Sequence, residues 1–277
     1  MGRRSPQPGT RGVSAALASS QPLLSWRPSP LQPPSRSATR AAPASSHCGS
    51  IRLSLAPLAM KLRILGINNM ESRDTRLSGY LVDDVLALDA GSLARSLRFD
   101  ELRRVEAILL SHRHYDHIRD IPALRYSLRD PGRIVDVFGI KDTADQVRAR
   151  FFAPPAWDGV AEGVEGPLRL HEAEPYEPFQ VAGHTVTPLL VRHSVPATGY
   201  LVSDGRASLF CTDDTGRSLE EVWKRAAPDV LLTEVALGDA MWERAQEVGH
   251  MTPSLLAEEM AVFKSIHGHF PASSSPT

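Results

Sequence analysis

Cysteine is nearly missing from this 277-residue chain: Cys48 and Cys211 are the two present. Two thiols build no disulfide framework, and their scarcity points to a reducing compartment and a cytoplasmic location. No apolar run is long enough to cross a bilayer, so no membrane partner is expected. Acidic residues are wholly absent from residues 1–60, which carry seven Arg; with −1 for the whole chain, the remainder holds −8. An acidic folded part argues against a broad nucleic-acid-binding face. Residues 1–59 also lack any sustained period and are rich in Pro, Ser, Ala and Arg. They are expected to be a disordered extension, either transit-peptide-like, for organelle targeting, or an over-extended reading frame ahead of Met60. Residues 60–270 are expected to form the folded domain and 271–277 a disordered tail.

What is present in abundance is chemistry in one stretch. Ala107-Ile-Leu-Leu110 reads as a buried strand and runs directly into Ser111-His112-Arg-His114-Tyr-Asp116-His117. Side chains two apart on an extended segment point the same way, so His112 and His114 can address one divalent ion. As the chain tightens into a helix near Asp116, Asp116 and His117 turn toward a second point a few Å away. Neutral imidazoles with a carboxylate suit zinc, and also manganese or iron. A pair of ions about 3.5–4 Å apart can hold a bridging hydroxide.

The rest of the chain supplies strands that end in polar residues. Leu62–Ile67 is a strand, and 79–91 holds two strands around Asp83-Asp84. Helices are expected over 118–128, 143–152, 218–227 with Ser218 as cap, and 252–264, with strands at 134–139, 168–171, 179–181, 184–191, 207–211 and 230–234. His171 and His184 read as surface histidines. Trp157 is either a pocket wall or a lid or core aromatic. His193, at a strand end with Pro196 and Gly199 fixing the exit, is placed to be a third ligand of the first ion. Thr212-Asp213-Asp214 offers two carboxylates at another strand end, where one can bridge two cations.

The His-x-His-x-Asp-His pattern resembles the signature of the metallo-β-lactamase superfamily. With His193-Ser-Val-Pro-Ala-Thr-Gly-Tyr, Thr212-Asp-Asp-Thr-Gly and Gly249-His250-Met-Thr-Pro-Ser, residues 61–272 are similar to its class II cyclic nucleotide phosphodiesterase branch. The resemblance implies an α+β fold, a four-layer αββα sandwich with a dinuclear site at one edge. It implies two divalent ions, held by His112, His114 and His193 and by Asp116 and His117, with Asp214 bridging. Asp89 would orient a ligand, or be a plain turn residue. Glu234 would orient His250, and His250 would donate a proton to the leaving group, unless the two are only a buried structural pair. Asp116 would also hold the attacking hydroxide. The implied function is hydrolysis of a small-molecule phosphodiester, a 3′,5′-cyclic nucleotide, with a homodimer compatible. The rivals are tRNA 3′-end processing, another hydrolase of the fold, or a non-catalytic metal-binding domain. Members of the branch add a last strand ending in a His. None is legible at Ile266-His267-Gly-His269-Phe-Pro, where neither His is expected to be a ligand, so the last strand is expected to be lacking and the second ion weakly held.

Overall fold

A computed structural model of the protein describes residues 51–54, 60–130, 132–152 and 166–273. Trp157 lies outside them. The first sheet follows chain order: β1 (Ile51–Ser54), β2 (Lys61–Gly66), β3 (Gly79–Val82), β4 (Leu86–Leu88), β5 (Ala107–Leu110), β6 (Val135–Gly139) and β7 (Leu168–Glu172). Its first four strands are antiparallel and β4 to β7 parallel. The second sheet runs β13-β12-β11-β10-β9-β8, from β8 (Phe179–Val181), β9 (His184–Val191), β10 (Ala197–Ser203), β11 (Ser208–Cys211), β12 (Val230–Leu232) and β13 (Ala272–Ser273). Here β8 to β11 are antiparallel and β11 to β13 parallel.

Alternation along the strands creates three apolar layers. Leu62, Ile64, Ala107 and Leu109 face Val202, Leu209, Cys211 and Val230 between the sheets. Ile108, Leu110, Val135 and Val137 turn outward onto α1 (Leu93–Ser96), α2 (Phe99–Leu102), α3 (Tyr115–Ile118), α4 (Ile121–Ser127) and α5 (Lys141–Phe151). On the other side Leu189, Phe210 and Leu231 meet α6 (Glu220–Trp223), α7 (Trp242–Val248) and α8 (Pro253–His267). Coverage on both faces is why β5 is apolar throughout. The result is the expected αββα sandwich. The outer layer is tightened by Trp223, wholly buried and edge-on to Phe210 and Phe263, a side chain whose truncation would cost about 3–5 kcal/mol. Among the described residues no helix is long and apolar enough to cross a membrane.

Several expectations change. Ile51–Ser54, inside the stretch expected to be a disordered extension, pairs antiparallel with β2. The helix expected over 118–128 is two, α3 and α4, separated by Arg119 and Asp120. Ser218 does not cap α6: it sits at φ 81° and its N–H donates to Glu259 Oε1 at 2.5 Å. Glu259, on α8, also accepts from Leu219 N–H and from Trp223 Nε1–H, so the helix start is satisfied by a side chain about forty residues away. His184 is buried, not superficial, donating to Ala182 O and lying 3.0 Å from Asp83 Oδ2; His171 is half-buried against Asp136 and Phe138. Beyond α8 a two-residue strand, β13, does pair with β12, too short to show a period in sequence.

Candidate metal centre

Strand direction explains why the site forms where it does. β9, β11 and β12 run one way in the second sheet, as do β4 and β5 in the first, and each ends at the same edge of the sandwich. The residues just past those ends are Asp89, Ser111-His112, His193, Asp214 and Glu234. His114 sits at the start of α3, Asp116 and His117 lie within it, and His250 follows the exit from α7.

Two donor sets converge there. His112, His114, His193 and Asp214 can offer one ligand atom each to a common point; Asp116, His117 and Asp214 offer a second set, so Asp214 belongs to both. His112 Nε2 lies 2.9 Å and His193 Nε2 3.1 Å from His114 Nδ1, and Asp214 Oδ2 is 3.8 Å from both Nε2 atoms. On the other side Asp214 Oδ2 and Asp116 Oδ2 each lie 3.4 Å from His117 Nε2.

The tautomers follow from the outer bonds. Ser111 Oγ donates to Asp89 Oδ2 (2.8 Å), so toward His112 Nδ1 (3.0 Å) it can only accept, and His112 carries its proton outward. His117 Nδ1–H donates to Asp89 Oδ2 at 2.8 Å, and His193 Nδ1–H to Gly249 O at 2.9 Å. The Nε2 lone pairs of all three therefore point inward. His117 Nε2 is buried and without a hydrogen-bond partner among the described residues. His114 Nδ1, which both the His112 and His193 lone pairs face, has at most one hydrogen to offer the two of them, whereas a cation between the rings satisfies all three; ligands about 2.0–2.1 Å from a tetrahedral zinc are spaced at about 3.3 Å. The donor set fits a divalent transition metal.

Electrostatics agree. Burial lowers His112, His114 and His193, keeping them neutral and able to ligate. Burial would lower His117 too, but the surrounding carboxyls, Asp213 and Asp89 foremost, raise it well above the ordinary value: this pocket answers its excess negative charge with a proton where a cation can serve. Burial and the neighbouring Asp89 push Asp213 up, while Asp89, despite its burial, is held down by His117 and by its hydrogen bonds. The two adjacent aspartates thus divide: Asp214 faces the donor sets, and Asp213, at φ 51°, turns behind His117 toward Asp89 and Ser78. Asp89 supports both His112 and His117, bonding also to Ser111 N–H.

A third cluster lies beside Asp214. His250 Nδ1–H donates to Glu234 Oε1 at 2.6 Å, and Glu234 is fixed by Thr215 N–H and Ala236 N–H. Burial alone would lower His250, yet its bond to Glu234 raises it overall. Two glycines permit these approaches. A Cβ on Gly91 would sit 1.9 Å from Asp116 O, and one on Gly249, already at φ 73°, 2.6 Å from His193 Cα. The sequence-derived residues His112, His114, Asp116, His117, His193, Asp214, Glu234 and His250 all line this one site. His267 and His269 do not: His267 Nε2–H donates to Trp223 O, and His269 Nδ1–H to His267 O. Sequence reasoning passed over Ser111, the Gly249 carbonyl and the inward turn of Asp213; the Ser adjoining His112 was the one visible signal. The site opens into a cavity of about 730 Å³.

A double-sheet sandwich with helices outside and paired His/Asp donor sets at the strand ends is the metallo-β-lactamase arrangement. The chain belongs to the beta-lactamase superfamily, whose domain model matches residues 79–269, and its fold is that of the superfamily's metal-dependent hydrolases. Over 154 residues it is 34% identical to a ribonuclease Z of Kineococcus radiotolerans, a match covering 52% of this chain and 46% of that one, so it spans about half the length of that relative. Among solved structures it is similar to the metallo-β-lactamase fold protein YhfI of Bacillus subtilis, with TM-score 0.61, 20% identity and 79% and 88% of the two chains covered. It is also similar to unliganded yeast PDE1, with TM-score 0.65, 15% identity and 79% and 89% covered. At such identities these two likenesses speak to the fold alone.

Proposed function

We propose that this chain hydrolyses phosphodiesters, 3′,5′-cyclic nucleotides above all, with two divalent ions, zinc or in its place manganese or iron. The observation that carries the reading is the Glu234–His250 pair at 2.6 Å, set beside Asp214 at the rim of both donor sets. His112, His114, His193 and Asp214 would hold one ion, and Asp116, His117 and Asp214 the other. Bound there, such ions polarise phosphoryl oxygens and lower the pKa of water. The chain's own residues do the rest. Asp89 fixes the inward lone pair of His117 directly and that of His112 through Ser111, as supporting carboxylates do in metal sites. Asp116 and Asp214, at 16% and 19% side-chain exposure, face the cavity and can orient an attacking water. His250, its proton retained by Glu234, donates to the departing alkoxide.

Hydrolysis of bis(4-nitrophenyl) phosphate by the purified chain with Zn, Mn or Fe is the test, with loss of at least ~100-fold on His114→Ala. No turnover with any of these metals would contradict the reading. The ribonuclease Z relative favours a second reading, tRNA 3′-end processing. Against it stand the net −8 of residues 61–277 and the composition of 153–165, which holds three acids and no Lys or Arg. Comparing rates on a cyclic nucleotide and a precursor tRNA separates the two.

A further inference from the structure

The loop after β2 lines the same cavity as the Glu234–Ala236 segment, through Ile67, Asn68 and Asn69. These three side chains differ in what they are free to do. Asn68 is committed to the loop itself: its Nδ2–H and its backbone N–H both donate to Arg76 O, at 3.1 and 2.9 Å. Asn69 lines the cavity, is exposed, and its amide has no hydrogen-bond partner among the described residues. Ile67 and Val235, 56% and 46% exposed, present apolar surface to the same cavity from the two sheets.

The loop is pinned rather than loose. Glu71 accepts from Arg95 Nη1 of α1 at 2.8 Å and pairs with Arg119 just beyond α3, while Arg119 also binds the buried carboxyl of Asp120 at 2.5 Å. Ser72 Oγ accepts from the backbone N–H groups of Asp74 and Thr75, and Thr75 Oγ1–H donates to Met70 O. An unpaired amide on a fixed loop is pre-organised for a ligand, since little ordering cost remains on binding. Aliphatic side chains pack against the faces of a flat ring, and an amide, one donor beside one acceptor, matches the N6/N7 edge of adenine and mismatches the two acceptors on the same edge of guanine.

We propose that Asn69 is a specificity-determining residue that reads the adenine ring of the substrate, with Ile67 and Val235 flanking that ring and Glu71 holding the loop in place. This rests on the phosphodiesterase reading for the claim that the base belongs to a substrate.

The test measures kcat/KM for 3′,5′-cyclic AMP, 3′,5′-cyclic GMP and bis(4-nitrophenyl) phosphate, together with calorimetric binding of 5′-AMP and 5′-GMP to the metal-loaded protein, in wild type and Asn69→Ala. Wild type should prefer adenine in rate and binding. Asn69→Ala should lower kcat/KM for cyclic AMP by about 10-fold, mainly through KM, and bring the adenine-to-guanine ratio close to one. Equal losses on all three substrates, no adenine preference in wild type, or binding of neither nucleotide would overturn the proposal. An AMP preference that Asn69→Ala abolishes, without turnover of cyclic AMP, would uphold base reading while removing the phosphodiesterase assignment.

Discussion

Asp214→Asn is expected to lower kcat/KM on a 3′,5′-cyclic nucleotide by ~10³-fold, about 4 kcal/mol at the transition state, and to reduce the metal bound. The reason is that Asp214 is the one side chain common to both donor sets, its Oδ2 within 3.4–3.8 Å of His117, His112 and His193. Its carboxyl is held well below the usual range: burial would raise it, but His117 and His112 outweigh that, which favours the anion. An amide keeps the shape and removes the charge. It also presents an N–H that cannot ligate, so ions held by the two donor sets would lose the counter-charge between them. Asp213→Asn separates this effect from generic damage. Asp213 lies on the Nδ1 side of His117, away from the Nε2 atom that faces Asp214, and its replacement should cost less activity than that of its neighbour. Equal losses for the two variants, followed by steady-state kinetics and metal content, would refute the assignment of the bridge to Asp214.

The second large effect concerns the proton. His250→Ala should cost ~10²–10⁴-fold on a cyclic nucleotide, whose alkoxide leaves with difficulty, and much less on the 4-nitrophenyl diester, whose aryloxide leaves unaided. A general acid works in its protonated form. Because the folded-state pKa of His250 is raised, that form persists to higher pH than in an unpaired imidazole, and activity is expected to be lost as pH rises through the raised value. His112, His114 and His193, the donors proposed for the first ion, are lowered, so they stay unprotonated further into acid than a free imidazole and should not set the alkaline limb. The pH–rate profile on the cyclic nucleotide should therefore have an alkaline limb set by His250. In Glu234→Gln the bond that raises His250 is weakened, and that limb should move to lower pH. A limb unmoved by Glu234→Gln, or His250→Ala losses equal for both leaving groups, would make the pair structural only.

Much of this site could be read from the chain because its chemistry is local. His112 to His117 lie within six residues after a strand whose apolar character declares its burial, and two-residue alternation followed by a helical turn fixes where each imidazole points. Three strand ends, at Val191, Cys211 and Leu232, were legible as apolar runs closing on polar residues, which is why His193, Asp214 and Glu234 could be singled out. What was illegible depends on partners far away in sequence. The start of α6 is satisfied by Glu259, about forty residues on, so Ser218 looked like a cap and is not one. β10 carries Gly199 in mid-strand, which hides its pattern; a Cβ there would meet Cys211 O at 2.7 Å on the neighbouring strand. His184 looked superficial because Asp83, the carboxylate it meets, is 101 positions away. The opposite facing of Asp213 and Asp214 is a matter of one positive φ angle, which no composition or period records.

The most direct measurement of the central claim is the metal content of the chain, purified without chelator and analysed by mass spectrometry, then titrated with zinc. The four-donor set of His112, His114, His193 and Asp214 predicts one firmly held ion per chain, and the three-donor set of Asp116, His117 and Asp214 a second that fills at higher concentration, with His114→Ala removing the first. A chain that retains no transition metal and takes none up at millimolar zinc would contradict the account.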